Sequence, residues 1–121
     1  MSKLPDVNLL VAISKADHPH HQRACVWRKA NARFTTCAIT ELGLVRVLIQ
    51  LGTEPQYAFA QLKNVTRQSQ FISCDLPVLE VAGEVKSHRQ TTDAYLTALA
   101  KSHKLTLCTF DEGIKGAELV T

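Results

Sequence analysis

Four acidic side chains stand at the edges of the apolar segments from which any core of this chain must be built. They are Asp6, Glu41, Asp93 and Asp111. Each lies within or beside a run of residues such as Leu, Val, Ile and Ala, where an unpaired charge is costly to bury. Acids in such places need a compensating partner, either basic side chains or a divalent cation bound by carboxylate oxygens. The fold must therefore bring one of these partners to the ends of its core elements.

Length and composition predict a single domain over residues 1–121. A chain of 121 residues with 45% hydrophobic and 21% charged residues can bury roughly two thirds of its unfolded surface. The most apolar run, residues 42–51, contains Arg46 and is shorter than the ~20 residues of a membrane span. Asp6 and Asn8 interrupt the apolar N-terminal segment, which is therefore a poor signal peptide. We expect a cytoplasmic protein with no membrane partner.

Cysteines and histidines do not follow a zinc-binding pattern. The cysteines are Cys25, Cys37, Cys74 and Cys108, with no CxxC pair among them. In a cytoplasmic chain we expect reduced thiols that pack as small apolar side chains. His18, His20 and His21 with Cys25 match no usual zinc spacing. Packing on one helical face with Ala24 explains His20 better.

The charge distribution indicates a negative site in a positive surround. The formal net charge is +3, from 14 basic and 11 acidic residues. When the four acids at the apolar segments are set aside, seven acidic residues remain against the 14 basic ones. This balance suits a site that holds a cation and admits a polyanion such as a nucleic acid. A mildly basic protein without such a site fits the same counts.

Strand-like and helix-like segments alternate along the chain. The predicted strands cover the start of residues 4–13, then 34–36, 71–74, 105–110 and 119–120. The predicted helices cover the rest of 4–13 with Asn8 near the start, a segment capped at Asp17 and ending near Arg33, then 37–51, 54–65, a weak helix at 78–85, and a helix capped at 91–93 that runs through Ser102. Such alternation predicts a parallel sheet covered on both faces, with sites at the carboxyl ends of its strands. Asp6 and Asp111 would lie there, and the helix dipole favours Asp93 in a first turn.

Carboxylates gathered at one point would support a definite chemistry. Mg²⁺ and Mn²⁺ prefer hard oxygen ligands, and without an ion the like charges raise at least one pKa. A bound ion polarises a phosphoryl oxygen and generates hydroxide from water, which is the chemistry of phosphodiester hydrolysis. On spacing alone, helix caps or surface ion pairs explain the four acids better than a metal site does.

Four motifs follow one another in the order and at the separations of a known family. They are LPDVNLL at 4–10, TELGLVR at 40–46, TDAYL at 92–96 with ALA at 98–100, and TFDEG at 109–113. Together they resemble the PIN-domain nucleases. The HPHH run at 18–21 and Trp27 are also similar to the VapC-type toxins of bacterial toxin–antitoxin pairs. The resemblance covers nearly the whole chain, and its strength lies in four motifs in register.

The resemblance implies a fold, an activity and partners. The expected fold is a PIN-like three-layer α/β/α sandwich with a short parallel central sheet. The expected activity is a Mg²⁺- or Mn²⁺-dependent endoribonuclease that hydrolyses RNA phosphodiester bonds and inhibits translation and growth. A cognate antitoxin is expected to block the site, and the toxin is expected to form a homodimer.

The resemblance also assigns roles to the acidic residues. Asp6, Glu41, Asp93 and Asp111 would form the catalytic quartet. Asp6, Asp93 and Asp111 would bind the metal ion, and Glu41 would orient a metal-bound water. Of the supporting residues, Thr109 would orient Asp111.

Three further polar residues receive roles or alternatives. Asn8, beside Asp6 in the chain, would support the metal ligands. Arg46 fits a phosphate contact or a clamp on an antitoxin carboxylate, and equally a solvent-facing or Glu41-paired side chain. Arg89 precedes the helix of Asp93 and fits either an RNA contact or a plain loop position.

Two departures from the family pattern motivate a second hypothesis. Pro5 removes a backbone donor in an expected central strand. Glu112 stands where the family often has a basic residue, so it adds negative charge near the site. They favour a PIN-like module that binds RNA or an antitoxin without cleaving. A receiver-like or phosphatase domain is a third reading, but Asn8 occupies the place of the second aspartate that a phosphatase needs.

Overall fold

The computed structural model describes residues 2–121 and alternates short strands with helices. The strands are β1 (Lys3–Pro5), β2 (Thr35–Thr36), β3 (Gln70–Phe71), β4 (Thr106–Thr109) and β5 (Glu118–Leu119). The helices are α1 (Val7–Ser14), α2 (His21–Ala30), α3 (Ala38–Gln50), α4 (Pro55–Val65) and α5 (Thr91–Ser102), with 3-10 segments at Val78–Glu84 and His88–Gln90. Within residues 2–121, no helix is both long enough and apolar enough to cross a membrane.

Within residues 2–121, all strand pairs are parallel, as the alternation predicted. One ladder has the order β1-β4-β5, and the other pairs β2 with β3. A hydrogen bond of 2.7 Å between the hydroxyls of Ser2 and Thr35 joins the two ladders side by side. In the register of β1 and β4, Pro5 lies opposite Cys108. The residues that follow these two strands therefore leave the sheet at the same edge.

The sheet lies between two helical layers, because successive residues of β4 face opposite sides. Leu107 packs with Leu4 against buried residues of α5 such as Leu96 and Leu99. Cys108 belongs to the other cluster, which collects the buried residues of α1, α2, α3 and α4. This arrangement confirms the predicted α/β/α sandwich with a short parallel central sheet.

Several predicted helix boundaries are wrong, and capping explains the first. The sequence placed the start of α1 near Asn8, but the helix begins at Val7, and Asp6 is its cap. Asp and Asn both cap helices well. Asp6 is the cap because it directly follows the end of β1. The second helix begins at His21 rather than in the predicted turn after Asp17, and it has no side-chain cap.

Two more segments differ in type or start. The weak helix predicted over residues 78–85 is a 3-10 helix over Val78–Glu84, a segment in which Gly83 and two valines have poor α-helix propensity. The fifth helix starts at Thr91 without a side-chain cap. Pro5 is harmless in β1, because the Asp6 N–H donates to the Cys108 carbonyl at 2.9 Å and successive N–H groups point to opposite sides of a strand.

Candidate active site

Asp6 is held rigidly at the junction of β1 and α1. It is 4% exposed, and each of its carboxylate oxygens accepts a hydrogen bond. Oδ1 accepts from the backbone N–H of Leu9 at 2.9 Å, which caps α1. Oδ2 accepts from the hydroxyl of Thr109 at 2.5 Å. The position of this carboxylate is therefore fixed by a helix start on one side and by a neighbouring strand on the other.

Thr109 connects Asp6 to Asp111 across the edge of the sheet. While its hydroxyl donates to Asp6, the same oxygen accepts the backbone N–H of Asp111 at 3.0 Å. Oδ1 of Asp111 accepts the N–H of Gly113 at 2.8 Å, which orients a carboxylate that is otherwise exposed. One buried hydroxyl at the end of β4 thus sets the relative placement of two acids.

Asp93 completes a group of three acids that affect one another electrostatically. Asp93 is half-buried and is the third residue of α5, the helix that packs on β4. Burial raises the pKa of Asp93, and the charge of Asp111 raises it further. Burial likewise raises the pKa of Asp6, as do the charges of Asp93 and Asp111, although its hydrogen bonds from Thr109 and Leu9 act in the opposite direction. The repulsion predicted for converging acids is therefore present.

Glu41 lies in the first turn of α3 and is positioned by a different set of contacts. Its Oε2 accepts the hydroxyl of Thr36 at 2.6 Å, which ties the residue to the end of β2. A Cβ on Gly43 would lie 2.3 Å from a methyl carbon of Val7, so α3 approaches α1 closely only because residue 43 is glycine. Within residues 2–121, no hydrogen bond or ion pair joins Glu41 to the three aspartates.

Basic side chains do not neutralise these acids. Within residues 2–121 the ion pairs are Lys3–Glu118, Lys15–Asp17 and His103–Asp75. None of them involves Asp6, Glu41, Asp93 or Asp111. The sequence allowed either basic side chains or a divalent cation as the partner of these acids. In the part of the chain that the structure describes, no basic side chain is paired with them.

The donor set fits a hard, partly hydrated cation. Across residues 2–121, no three His, Cys, Asp or Glu side chains are close enough together to form a ready-made metal cage. Mg²⁺ does not require such a cage, because it keeps several waters and binds through one or two carboxylates together with substrate phosphates. Asp6, fixed and without a cationic partner, and the more open Asp93 and Asp111 suit this mode of binding.

The remaining residues singled out in the sequence lie on the surface. Asn8 is exposed on α1 and has no capping role. Arg46 is exposed on α3 and forms no ion pair with Glu41, which excludes the paired alternative. Arg89 is exposed in the short 3-10 turn before α5. Within residues 2–121, no hydrogen bond or ion pair joins these three side chains to the aspartates.

The sequence analysis missed an aromatic and basic cluster beside the acids. Phe110, the residue between Thr109 and Asp111, has the guanidinium carbon of Arg23 5.0 Å from its ring centroid. The ring of His20 lies 4.8 Å from the same ring. The spacing of three between His20 and Arg23 was a visible sign that the two share a helical face, but nothing in the sequence linked them to Phe110.

Comparison with known proteins gives consistent matches over almost the entire chain. The family model described as PIN domain matches residues 3–118. Ribonuclease VapC29 of Mycobacterium tuberculosis is 40% identical over 119 residues, which cover 94% of this chain and 89% of that protein.

Two solved structures share the fold at low sequence identity. Mycobacterium tuberculosis VapC20, described as a sarcin–ricin loop cleaving toxin, has a TM-score of 0.75 at 13% identity and covers 99% of this chain and 100% of its own. A toxin–antitoxin complex from Klebsiella pneumoniae has a TM-score of 0.68 at 19% identity, with 99% and 98% covered. The predicted resemblance is confirmed by the family match and the 40% identity: the chain belongs to the PIN domain family, among its VapC-type toxins.

Proposed function

We propose that this protein is a metal-dependent endoribonuclease toxin that hydrolyses phosphodiester bonds of RNA. The observation that carries the proposal is the group formed by Asp6, Asp93 and Asp111, whose mutual repulsion no basic side chain relieves in residues 2–121. The name of the relative VapC29, a ribonuclease, supports the choice of RNA as substrate. Inhibition of translation and growth would follow from the loss of intact RNA.

We assign the four acidic residues separate roles in metal binding and in water activation. Asp6, Asp93 and Asp111 would hold Mg²⁺ or Mn²⁺. The bound ion would polarise a phosphoryl oxygen and lower the pKa of water, the chemistry that phosphodiester hydrolysis requires. Glu41, with one oxygen fixed by Thr36, would orient the attacking water. In-line attack would leave a 5′-phosphate on the product.

Thr109 would act through the acids rather than on the substrate. Its hydroxyl bonds both the carboxylate of Asp6 and the backbone N–H of Asp111. Such contacts to metal ligands fix their orientation and typically influence metal affinity and activity about 10- to 100-fold. Asn8 is exposed, and its proposed support of Asp6 would require a water between them.

Protein partners complete the proposal. A cognate antitoxin would cover the site, which is supported by the fold shared with the Klebsiella pneumoniae toxin–antitoxin complex. Large apolar side chains exposed on α3 and α4, namely Leu42, Ile49, Tyr57 and Phe59, offer surface for an antitoxin or for a second copy in a homodimer. The protein would act in the cytoplasm, where its RNA substrate and antitoxin would meet it.

Cleavage by the purified full chain tests the activity. We expect RNA to be cut in Mg²⁺ or Mn²⁺, to be spared in chelator, and to yield 5′-phosphate ends when the products are sequenced. Asp93→Asn should abolish cutting, because it removes a metal ligand and its charge. Asp17→Asn is the matched control, since Asp17 is exposed and pairs with Lys15 away from the site. Full activity of Asp93→Asn, or cutting that chelator does not stop, would refute the proposal.

One observation favours a second candidate, a PIN-like module that binds RNA or an antitoxin without cleaving. Within residues 2–121, three acids are not gathered closely enough for a ready-made metal cage, and Glu112 adds a further negative charge next to Asp111. Binding of RNA without cleavage in either metal, together with no calorimetric signal for Mn²⁺ at millimolar concentration, would favour this candidate over the enzyme.

A further inference from the structure

A nuclease built on unpaired acids has an electrostatic problem with its substrate. The three aspartates repel the phosphates of RNA, and Glu112 beside Asp111 increases that repulsion. A bound divalent ion offsets the charge at the scissile phosphate, but the neighbouring phosphates of the strand still approach a negative surface. A cation held close to the acids, yet not paired with them, would solve this problem. The argument rests on the proposed nuclease function.

Arg23 contacts Phe110, the residue that directly precedes Asp111 in the chain, and is the candidate for this cation. Its guanidinium carbon lies 5.0 Å from the centroid of the Phe110 ring, within the range of a cation–π interaction. Phe110 stands between Thr109 and Asp111, the two residues that shape the edge of the acid site. The inner side of the Phe110 ring packs against the apolar core. Arg23 is thus in contact with the residue that lies between Thr109 and Asp111.

His20 holds the guanidinium from a second direction. Its Nδ1 lies 2.6 Å from an Nη atom of Arg23, and its ring lies 4.8 Å from Phe110. Because an arginine can only donate, Nδ1 of His20 must be the acceptor and the ring proton must be on Nε2. Two contacts therefore restrict a side chain that would otherwise lose considerable rotamer freedom on binding.

The charge of Arg23 is available to a ligand. The side chain is exposed, and within residues 2–121 it forms no ion pair with any carboxylate. Arg46 and Arg89, the two arginines that the sequence suggested, are also exposed and unpaired there, but neither has a recorded side-chain contact that would orient it. Arg23 differs from them because it is preorganised: a guanidinium held in one orientation binds phosphate oxygens with less loss of entropy than a freely rotating one.

We propose that Arg23, held by His20 and Phe110, binds a backbone phosphate of the RNA next to the one that is cleaved. The contact is independent of base identity, because it is made to the phosphate. It sets the strand in register with the acids and offsets the repulsion that they and Glu112 create. Arg23 is therefore a substrate-binding residue, and His20 is a positioning residue that acts through it.

The experiment compares Arg23→Gln with Arg67→Gln, which removes the same charge from an exposed turn after α4. Binding of fluorescent polyuridylate in chelator, followed by anisotropy over a series of salt concentrations, measures the phosphate contact without cleavage. For Arg23→Gln we expect about tenfold weaker binding and a slope of log K against log salt that is smaller by about 0.7, the value for one phosphate contact on a single strand. Arg67→Gln should match the wild type.

Two further variants separate orientation from charge. Arg23→Lys keeps the charge but loses the planar fork, and Phe110→Leu keeps the apolar packing but loses the ring. Both should bind with intermediate affinity and keep the wild-type salt slope. In Mg²⁺, on an RNA that the wild type cuts, Arg23→Gln should raise KM about tenfold and leave kcat nearly unchanged, because the contact is equal in ground and transition states.

The outcomes separate this inference from the proposed activity. Wild-type affinity and salt slope in Arg23→Gln, or equal losses in Arg67→Gln, would overturn the role of Arg23. Absence of polyuridylate binding by the wild type would also overturn it, whether or not the protein cuts RNA. Binding that depends on Arg23 without any cleavage would support the inference and refute the proposed activity instead.

Discussion

We assign Asp6 and the pair formed by Asp93 and Asp111 to one proposed site, yet the protein holds them very differently. Asp6 is almost fully buried, and both of its oxygens are hydrogen-bonded to the fold. Asp93 is half-buried in the first turn of α5, and Asp111 is exposed with one oxygen bonded to Gly113. The first carboxylate is part of the architecture, because it caps a helix and joins two strands. The other two lie where solvent and ligands reach them.

This contrast indicates how such a site reconciles stability with ligand exchange. A single fixed ligand defines where an ion binds, at the cost of burying a charge. The more open ligands adjust to the ion and keep room for water and a phosphate, which fits the hydrated mode in which Mg²⁺ binds. The fold therefore supports half of the site in advance, and we expect the ion to complete the other half.

The largest expected effect follows from removing the charge at the fixed position. Asn caps helices as well as Asp does, so Asp6→Asn keeps the helix start while losing a proposed metal ligand. RNA cleavage should fall by more than about a hundredfold, since even groups that only orient ligands contribute about 10- to 100-fold. The metal-free variant should unfold at the same temperature as the wild type or higher, because a buried charge and its repulsion are gone. Retained cleavage, or a large loss of metal-free stability, would contradict this account.

A smaller loss of activity is expected when the hydrogen bonds through which Thr109 connects Asp6 to Asp111 are removed. Thr109→Val keeps the shape of the side chain but removes the hydroxyl that bonds Asp6 and the N–H of Asp111. We expect activity to fall about 10- to 100-fold and stability to fall by about 1–3 kcal/mol, because buried polar groups lose their partner. Thr106→Val on the same strand is the control, since the Thr106 hydroxyl makes no hydrogen bond within residues 2–121. Denaturant unfolding and initial rates measure both quantities, and equal results for the two variants would argue against the link.

The contact between α1 and α3 provides a further test at the position of Glu41. In Gly43→Ala the new methyl meets Val7 at 2.3 Å, and β-branched valine has little freedom to move away. Overpacking of about 1–3 kcal/mol should exceed the helix-propensity gain of about 1 kcal/mol. We expect a net loss of stability and a shift of α3 that lowers activity.

Gly83→Ala is the matched control for that change, since nothing lies within 4 Å of the added carbon. Its unfolding temperature should equal or slightly exceed that of the wild type, because Gly→Ala without a clash also lowers the entropy of the unfolded chain. If Gly43→Ala were as stable and as active as Gly83→Ala, the close approach of α1 and α3 would not matter for the site.

The smallest effect is a pH dependence of opposite sign at two aspartates. Burial raises the pKa of Asp6, so in metal-free protein the folded state retains a proton that the unfolded chain releases. Its contribution to stability is therefore lost as the pH rises from the ordinary value of 3.8 through the raised pKa. A hydrogen bond with His103 lowers the pKa of Asp75, whose contribution is lost as the pH falls. In chelator, the free energy of unfolding of the wild type minus that of Asp6→Asn should decline as the pH rises. The corresponding difference for Asp75→Asn should grow as the pH rises toward 3.8.

Much of the architecture could be predicted from the sequence, because local pattern and tertiary structure agree there. The continuous apolar run that ends at Phe110 forms the buried strand β4, and the segment after Cys37 forms α3. The boundary at Asp6 could not be predicted, since Asp6 and Asn8 cap helices equally well and only the end of β1 distinguishes them.

The sequence predicts only part of the candidate site, because some of its contacts join distant parts of the chain. Acids embedded beside apolar segments are conspicuous in a sequence, because burial of a charge is unusual. Arg23 and Phe110 come together from distant parts of the chain, and such a contact has no local pattern. The two arginines chosen from their nearness to the motifs, Arg46 and Arg89, lie exposed, and within residues 2–121 neither side chain makes a hydrogen bond or ion pair that would orient it.

A calorimetric titration of Mn²⁺ into the full chain tests most directly whether the three aspartates form a cation site. We expect saturable binding to the wild type, accompanied by proton release near the raised pKa values of Asp6 and Asp93. Asp93→Asn should lose this binding, while Asp17→Asn should retain it. Binding of Mn²⁺ to Asp93→Asn with wild-type affinity, or its absence from the wild type at millimolar ion, would contradict the account.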